Sequence, residues 1–185
     1  LMSEWMLQDA ANAHGFTYIA LRYFNVSGAD PKGRSGQSSP HATHLIKVAS
    51  QAALGQRDGL TVFGTDYATP DGTCVRDYIH VTDLARAHLA ALDHLRSGGE
   101  SLTLNCGYGR GYSVKEVVAV VKKVSGVDFP VTLAERRAGD PASLIARADR
   151  IRAELGWQPE HDDLEQIVGQ ALAWEEKLRT KNATA

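Results

Sequence analysis

The stretch Asp71-Gly72-Thr73-Cys74-Val75-Arg76-Asp77-Tyr78-Ile79-His80-Val81-Thr82-Asp83 constrains this chain more than any other. Val75, Ile79 and Val81 alternate with Arg76, Tyr78 and His80, and a period of two is the pattern of a half-buried strand. Gly72 supplies the turn before that strand, and Thr82 or Asp83 is placed to cap a following helix. The pattern therefore sets a guanidinium in a largely apolar strand. Leaving a buried charge without a partner costs roughly 3–5 kcal/mol, so Arg76 needs an anion. Two are open: the adjacent Asp77, or a ligand phosphate whose oxygens match the arginine fork.

Such a strand needs a core, and 185 residues with 43% apolar content are enough to bury one. A net charge of -2 gives no electrostatic case for nucleic acid or an anionic membrane as partner. No apolar run is long enough to span a bilayer. Cys74 and Cys106 are too few for a disulfide framework and show no metal-ligand spacing, and His41 and His44, three apart, lack a clear carboxylate or cysteine companion. No metal is expected, and the reducing cytoplasm is the expected compartment.

Along the chain, Met2, Trp5, Met6 and Ala13 share a helical face, so a helix is expected over residues 2–14, ended by Gly15. No cap precedes it, and the chain is expected to belong to a longer protein. Residues 16–23 are rich in β-formers and predict a strand, and the Gly, Ser and Pro content of 25–40 predicts a loop. Thr43 is the expected cap of a helix carrying Leu45, Ile46, Val48 and Ala49 and stopping at Gly55. Strands are expected over 60–63, 75–81, 102–105 and 130–133, with a helix from 82 to about 95. Ser113 and Glu116 form a capping box for a helix over 117–124. A short helix follows from Asp149 to Gly156, and Asp162 with Glu165 resembles a second capping box opening a helix through Leu178. The polar end, 180–185, is expected to fray. Alternating strands and helices predict an α/β fold.

Two further motifs, Leu21-Arg22-Tyr23-Phe24-Asn25-Val26-Ser27-Gly28-Ala29 and Arg136-Arg137-Ala138-Gly139-Asp140-Pro141, join the first in a definite order. Together they resemble the C-terminal half of the UDP-glucose 4-epimerase family, which belongs to the extended short-chain dehydrogenases/reductases. The likeness covers all but the last few residues. It implies a C-terminal remnant of an NAD-binding Rossmann domain at 1–30, with a returning strand near 101–107, plus a smaller α/β substrate-binding domain at 31–185. It also implies NAD-dependent interconversion of UDP-glucose and UDP-galactose through a 4-keto sugar, performed by a homodimer with helix 2–14 in its interface. The family's Tyr-x-x-x-Lys motif and glycine fingerprint would lie upstream, so this chain would hold no catalytic residue and be inactive alone. The alternatives are a nucleotide-sugar dehydratase or decarboxylase of the same superfamily, or a non-catalytic nucleotide-sugar binding module.

Read from the residues alone, Tyr23-Phe24-Asn25 is either core packing with a turn or a ligand contact at a strand's C-terminal end. The resemblance makes Tyr23 and Phe24 contacts for NAD, and Asn25 a contact for the UDP-sugar. Thr43-His44-Leu45 is either an ordinary cap or an anion site at a helix start. The matching family segment touches the diphosphate and nucleotide, commonly with Asn where His44 stands. Thr61-Val62-Phe63 is a short core strand by composition, and lies beside uracil by resemblance. Arg76 and Arg137 match diphosphate ligands, against salt bridges from Arg76 to Asp77 and from Arg137 to Asp140 or Glu135. Asp140 matches a carboxylate that holds a ribose hydroxyl. Leu144 matches a position lining the sugar pocket, and is otherwise plain core. Val26 replaces a common proline, and Arg147 stands where an acidic residue is common.

Overall fold

The computed structural model describes residues 1–39 and 41–183. Pro40, at the end of the expected loop, and the last two residues of the expected frayed tail lie outside the described residues. In chain order the elements begin α1 (Met2–His14), β1 (Ile19–Tyr23), β2 (Asn25–Ser27), α2 (Leu45–Ala53) and β3 (Leu60–Phe63). Next come β4 (Val75–Arg76), β5 (Tyr78–His80), α3 (Val81–Arg96), β6 (Leu102–Cys106) and β7 (Tyr112–Ser113). The last are α4 (Val114–Ser125), β8 (Val131–Ala134), β9 (Ser143–Leu144), α5 (Asp149–Leu155) and α6 (Leu164–Ala183).

The fold is α/β, and its strands pair mainly in parallel. β1 runs beside β6, β2 beside β5 and β3 beside β8, all parallel. β4 takes β7 antiparallel on one side and β9 parallel on the other. Parallel partners need long crossovers, which explains why each pair joins distant parts of the sequence. Helices α2, α4 and α6 pack on one another. Their apolar stripes meet Ile79, Leu104 and Val62 in one core with Val117, Val121, Ile151, Ile167 and Val168. No helix among the described residues is long and apolar enough to cross a membrane.

Several local signals act as written. The Gly15 N–H closes α1 on Ala11 O at 2.8 Å, with Gly15 in the left-handed region. At α4, Ser113 Oγ accepts from Glu116 N–H (3.0 Å), and Glu116 Oε2 accepts from Ser113 N–H (2.6 Å), closing the capping box. The second box falls elsewhere than expected. Asp163 Oδ1 accepts from Gln166 N–H at 3.0 Å, while Asp162 pairs with Arg110. α2 begins at Leu45 with His44, not Thr43, as its N-cap, and no side chain caps it.

β7 and β9 fall where no strand is expected, and two further strands differ from expectation. The predicted loop after Tyr23 contains β2, whose Asn and Ser are poor strand formers and whose partner β5 lies far along the chain. The strand expected over 75–81 breaks at Asp77, which turns its carboxylate inward, and Val81 already belongs to α3. The α3 cap is therefore His80, whose Nδ1 accepts from Thr82 N–H at 3.1 Å. Asp83 is buried and caps nothing at α3. Its carboxylate accepts instead from Tyr108 OH (2.7 Å), Glu160 N–H (3.0 Å) and His161 N–H (2.9 Å).

His80 is fully buried, with Nε2 on Gln170 Oε1 at 2.5 Å. Gly28 lies against it at φ 78°, where a Cβ would come within 2.5 Å of the ring. Burial lowers the His80 pKa below its usual 6.5. The folded protein then binds fewer protons than the unfolded chain in the window below 6.5. This contribution to stability is complete above that pH and fades as pH falls through the window. We expect the wild type to lose up to about 1.4 kcal/mol per pH unit from this group on acidification. His80→Asn, which keeps a capping acceptor but does not titrate, should flatten that part of the slope in denaturant titrations at pH 5.5 and 7.5. Equal slopes in both proteins would reject the assignment.

Candidate nucleotide site

The site starts from one free strand edge. Leu60 N–H donates to Pro130 O (2.9 Å), and Gly64 N–H donates to Ala134 O (2.8 Å). Residues of a parallel ladder alternate in facing their partner, so Leu60, Val62 and Gly64 face β8. Thr61 and Phe63 turn their main-chain groups the other way, into a cavity of about 710 Å³. Thr43, His44 and Leu45, at the uncapped start of α2, form another wall. The free N–H groups of a helix start favour an anion there.

Asp77 sets the third wall. It is fully buried, and its carboxylate accepts from the N–H groups of Tyr108 (3.2 Å), Gly109 (3.0 Å) and Ala146 (3.3 Å). Its carbonyl accepts from Asn25 N–H (3.2 Å) and from Asn25 Nδ2 (3.0 Å). Burial raises the Asp77 pKa, and the three backbone donors oppose that rise. Asn25 and Arg76, on either side of this hub, both line the cavity.

The two arginines behave differently from either simple salt-bridge expectation. Arg76 pairs with Asp140 at 2.5 Å rather than with Asp77. Arg137 has no carboxylate partner among the described residues, and its guanidinium lies 3.9 Å from the centroid of the Phe63 ring. Stacking holds the plane of the guanidinium while leaving its N–H groups available to an anion.

Ten of the residues singled out from sequence thus line one cavity: Asn25, Thr43, His44, Leu45, Thr61, Val62, Phe63, Arg76, Arg137 and Asp140. Leu144 does not. It pairs with Arg76 across β9 and β4, is 44% exposed, and is neither cavity wall nor core. Tyr23 and Phe24 line a neighbouring, mainly apolar cavity of about 530 Å³, which shares His44 with the first. Sequence reasoning missed Tyr78 and Arg57 as lining residues. Tyr78 carried a usable signal, since it alternates with Arg76. Burial pushes its phenol well above the ordinary value, so it stays protonated. Arg57 carried no signal.

A model of the NAD dependent epimerase/dehydratase family matches residues 1–107, and the chain belongs to that family. The UDP-glucose 4-epimerase of Azospirillum brasilense is 64% identical over 178 residues, covering 96% of this chain and 51% of the relative. The solved UDP-glucose 4-epimerase from Brucella ovis, in complex with NAD, is 48% identical with a TM-score of 0.89, covering 93% of this chain and 53% of that one. The Bifidobacterium longum UDP-glucose 4-epimerase, in complex with NAD+ and UDP, is 38% identical with a TM-score of 0.89, covering 95% and 52%. The chain spans about half the length of the curated relatives it matches.

Replacing Asp77 by Asn would set an amide NH2 against backbone donors and remove the charge that strengthens the remaining bonds. The expected cost is about 2 kcal/mol, or a Tm lower by about 4–8 °C, measured by thermal unfolding. An unchanged Tm would show that the hub is not needed to hold the cavity walls.

Proposed function

We propose that this chain is the UDP-sugar-binding part of an NAD-dependent UDP-glucose 4-epimerase, which interconverts UDP-glucose and UDP-galactose in the cytoplasm. The observation that carries this reading is the convergence of Arg76, Arg137 and the free edge of β3 on one cavity. A diphosphate bears about two negative charges, and arginine is always charged and binds phosphate in a fork. In this reading Arg137 takes phosphoryl oxygens from its stack on Phe63, and Arg76 is held beside them by Asp140. The main-chain groups of Thr61 and Phe63 pair with the amide-like edge of uracil. Asn25, fixed by Asp77, and Asp140 meet hydroxyls of the sugar and the ribose. Gripping the nucleotide in this way leaves the hexose free to turn, so binding energy from the non-reacting part positions the reacting part.

A bound NAD would supply the hydride acceptor and donor for C4 of the sugar. Tyr23 and Phe24 suit its flat nicotinamide, since they line a mainly apolar cavity next to Asn25. Residues 1–30, with the returning strand β6, would form the edge of the cofactor domain, and residues 31–185 the substrate domain.

In the longer protein that this reading requires, Arg137→Ala should lower UDP affinity by about 1.5–3 kcal/mol, the worth of a charge-assisted hydrogen bond. Affinity for uridine should change much less, and kcat/KM for UDP-galactose should fall in step with UDP affinity. Arg76→Ala should act in the same direction. Calorimetry showing equal losses for UDP and uridine would return both arginines to a structural role.

We also propose that the longer protein is a homodimer joined through α1. This helix buries none of its residues here, and Trp5 and Met6 are 57% and 70% exposed, a large apolar surface for a helix to leave bare. Light scattering at micromolar concentration should give twice the protomer mass; a monomer mass would reject the interface.

A further inference from the structure

Apart from His44, a polar chain behind the nucleotide cavity is used by none of the assignments above. Its centre is Glu175 on α6, which is 5% exposed and lines the smaller cavity but not the larger. Glu175 Oε2 accepts from Lys47 Nζ at 2.6 Å, and Oε1 accepts from Gln51 Nε2 at 3.0 Å. Lys47 and Gln51 stand one turn apart on the same face of α2. From there the chain divides. On one branch Gln51 Oε1 accepts from Arg57 Nε at 2.7 Å. On the other, Lys47 Nζ donates to Gln37 O at 3.2 Å, a carbonyl that Trp174 Nε1 also meets at 3.2 Å. The Gln37 side chain then reaches His44, with Nε2 on Nδ1 at 2.7 Å. Both branches end on residues that line the cavity, Arg57 and His44.

Each terminal contact selects what its residue offers a ligand. An amide nitrogen only donates, so His44 Nδ1 must accept, and its proton stands on Nε2. That N–H is then the free donor. Gln51 occupies Nε of Arg57 and leaves the two terminal nitrogens as an oriented fork. Arg57 lies just before β3, whereas Arg137 stacks on Phe63 at its far end, and a four-residue strand separates the two by about 10 Å. Arg57 therefore stands at the base end of a bound nucleotide, away from the diphosphate. A buried ion pair is a poor stabiliser beside apolar residues of equal volume, so stability alone does not account for Lys47 and Glu175.

We propose that Glu175 is a positioning residue for nucleotide recognition. Through Gln51 it orients Arg57 toward the base or ribose, and through Lys47 and Gln37 it orients the His44 N–H. The proposal rests on the UDP-sugar reading above and adds to it a residue, Arg57, that contacts the nucleotide directly.

The test is a double-mutant cycle read by calorimetric titration of the longer protein with UDP. Arg57→Ala should weaken UDP by roughly five- to tenfold, as expected for a partly exposed charged donor. Gln51→Leu should weaken it by a smaller factor, and the pair together should be no worse than Arg57→Ala alone. The variant carrying both Lys47→Met and Glu175→Leu should unfold near the wild-type temperature yet lose UDP affinity. Its His44 imidazole should pass from one tautomer to a mixture in 15N spectra, which a merely structural role would leave unmoved. If that variant does not fold, the Gln51 and Arg57 arms decide alone. A wild type that binds UDP but shows multiplicative losses for Gln51→Leu and Arg57→Ala would overturn the proposal and leave the UDP reading standing. A wild type that binds no UDP would overturn both.

Discussion

Asp77 sits where four otherwise separate pieces of the chain meet. Its carboxylate collects N–H groups from the turn after β6 and from the segment after β9, while its carbonyl accepts from the backbone N–H and the side-chain Nδ2 of Asn25. Burying a carboxylate is costly unless its lone pairs are filled, and here they are filled by backbone donors that would otherwise be unpaired themselves. The chain changes strand partners at Asp77, since β4 pairs with β7 and β9 whereas β5 pairs with β2, so a sequence with strand periodicity does not form one strand there. Arg76 and Asn25 take their positions from that change of partners.

The cavity is consequently built from edges and ends, with few side chains buried for the purpose. It combines a strand edge whose partner lies on the other side, a helix start without a side-chain cap, and two guanidinium groups held by different means. Arg76 is restrained by a carboxylate and Arg137 by an aromatic face. The difference matters chemically. A guanidinium already paired with Asp140 is rigid but part-neutralised, whereas one stacked on Phe63 keeps its charge uncompensated by a carboxylate.

Buried polar groups carry much of the tertiary specification. Asp83 gathers Tyr108 and the backbone at Glu160 and His161, and Lys47 with Glu175 ties α2 to α6. Each hub joins elements that are distant in sequence, and each is close to fully satisfied. Partly satisfied networks of this kind would cost more than an apolar core, so their completeness constrains the packing around them.

Local chemistry determined much by itself. The alternation of strands and helices, the capping box of Ser113 and Glu116 and the stop at Gly15 are all legible in the sequence. These signals act over a few residues, where propensity and periodicity are strongest. Partner choice is different. Arg76 meets Asp140 across 64 positions and ignores the neighbouring Asp77, because strand pairing brings the loop after β8 over β4. That pairing leaves Leu144 exposed, the pairing of β3 with β8 leaves the Thr61 and Phe63 edge free, and the packing of α6 on α2 sets Glu175 against Lys47. No short-range pattern encodes which of several carboxylates will face a given cation. Only the assembled sheets and helices, by setting distance and burial together, decide it.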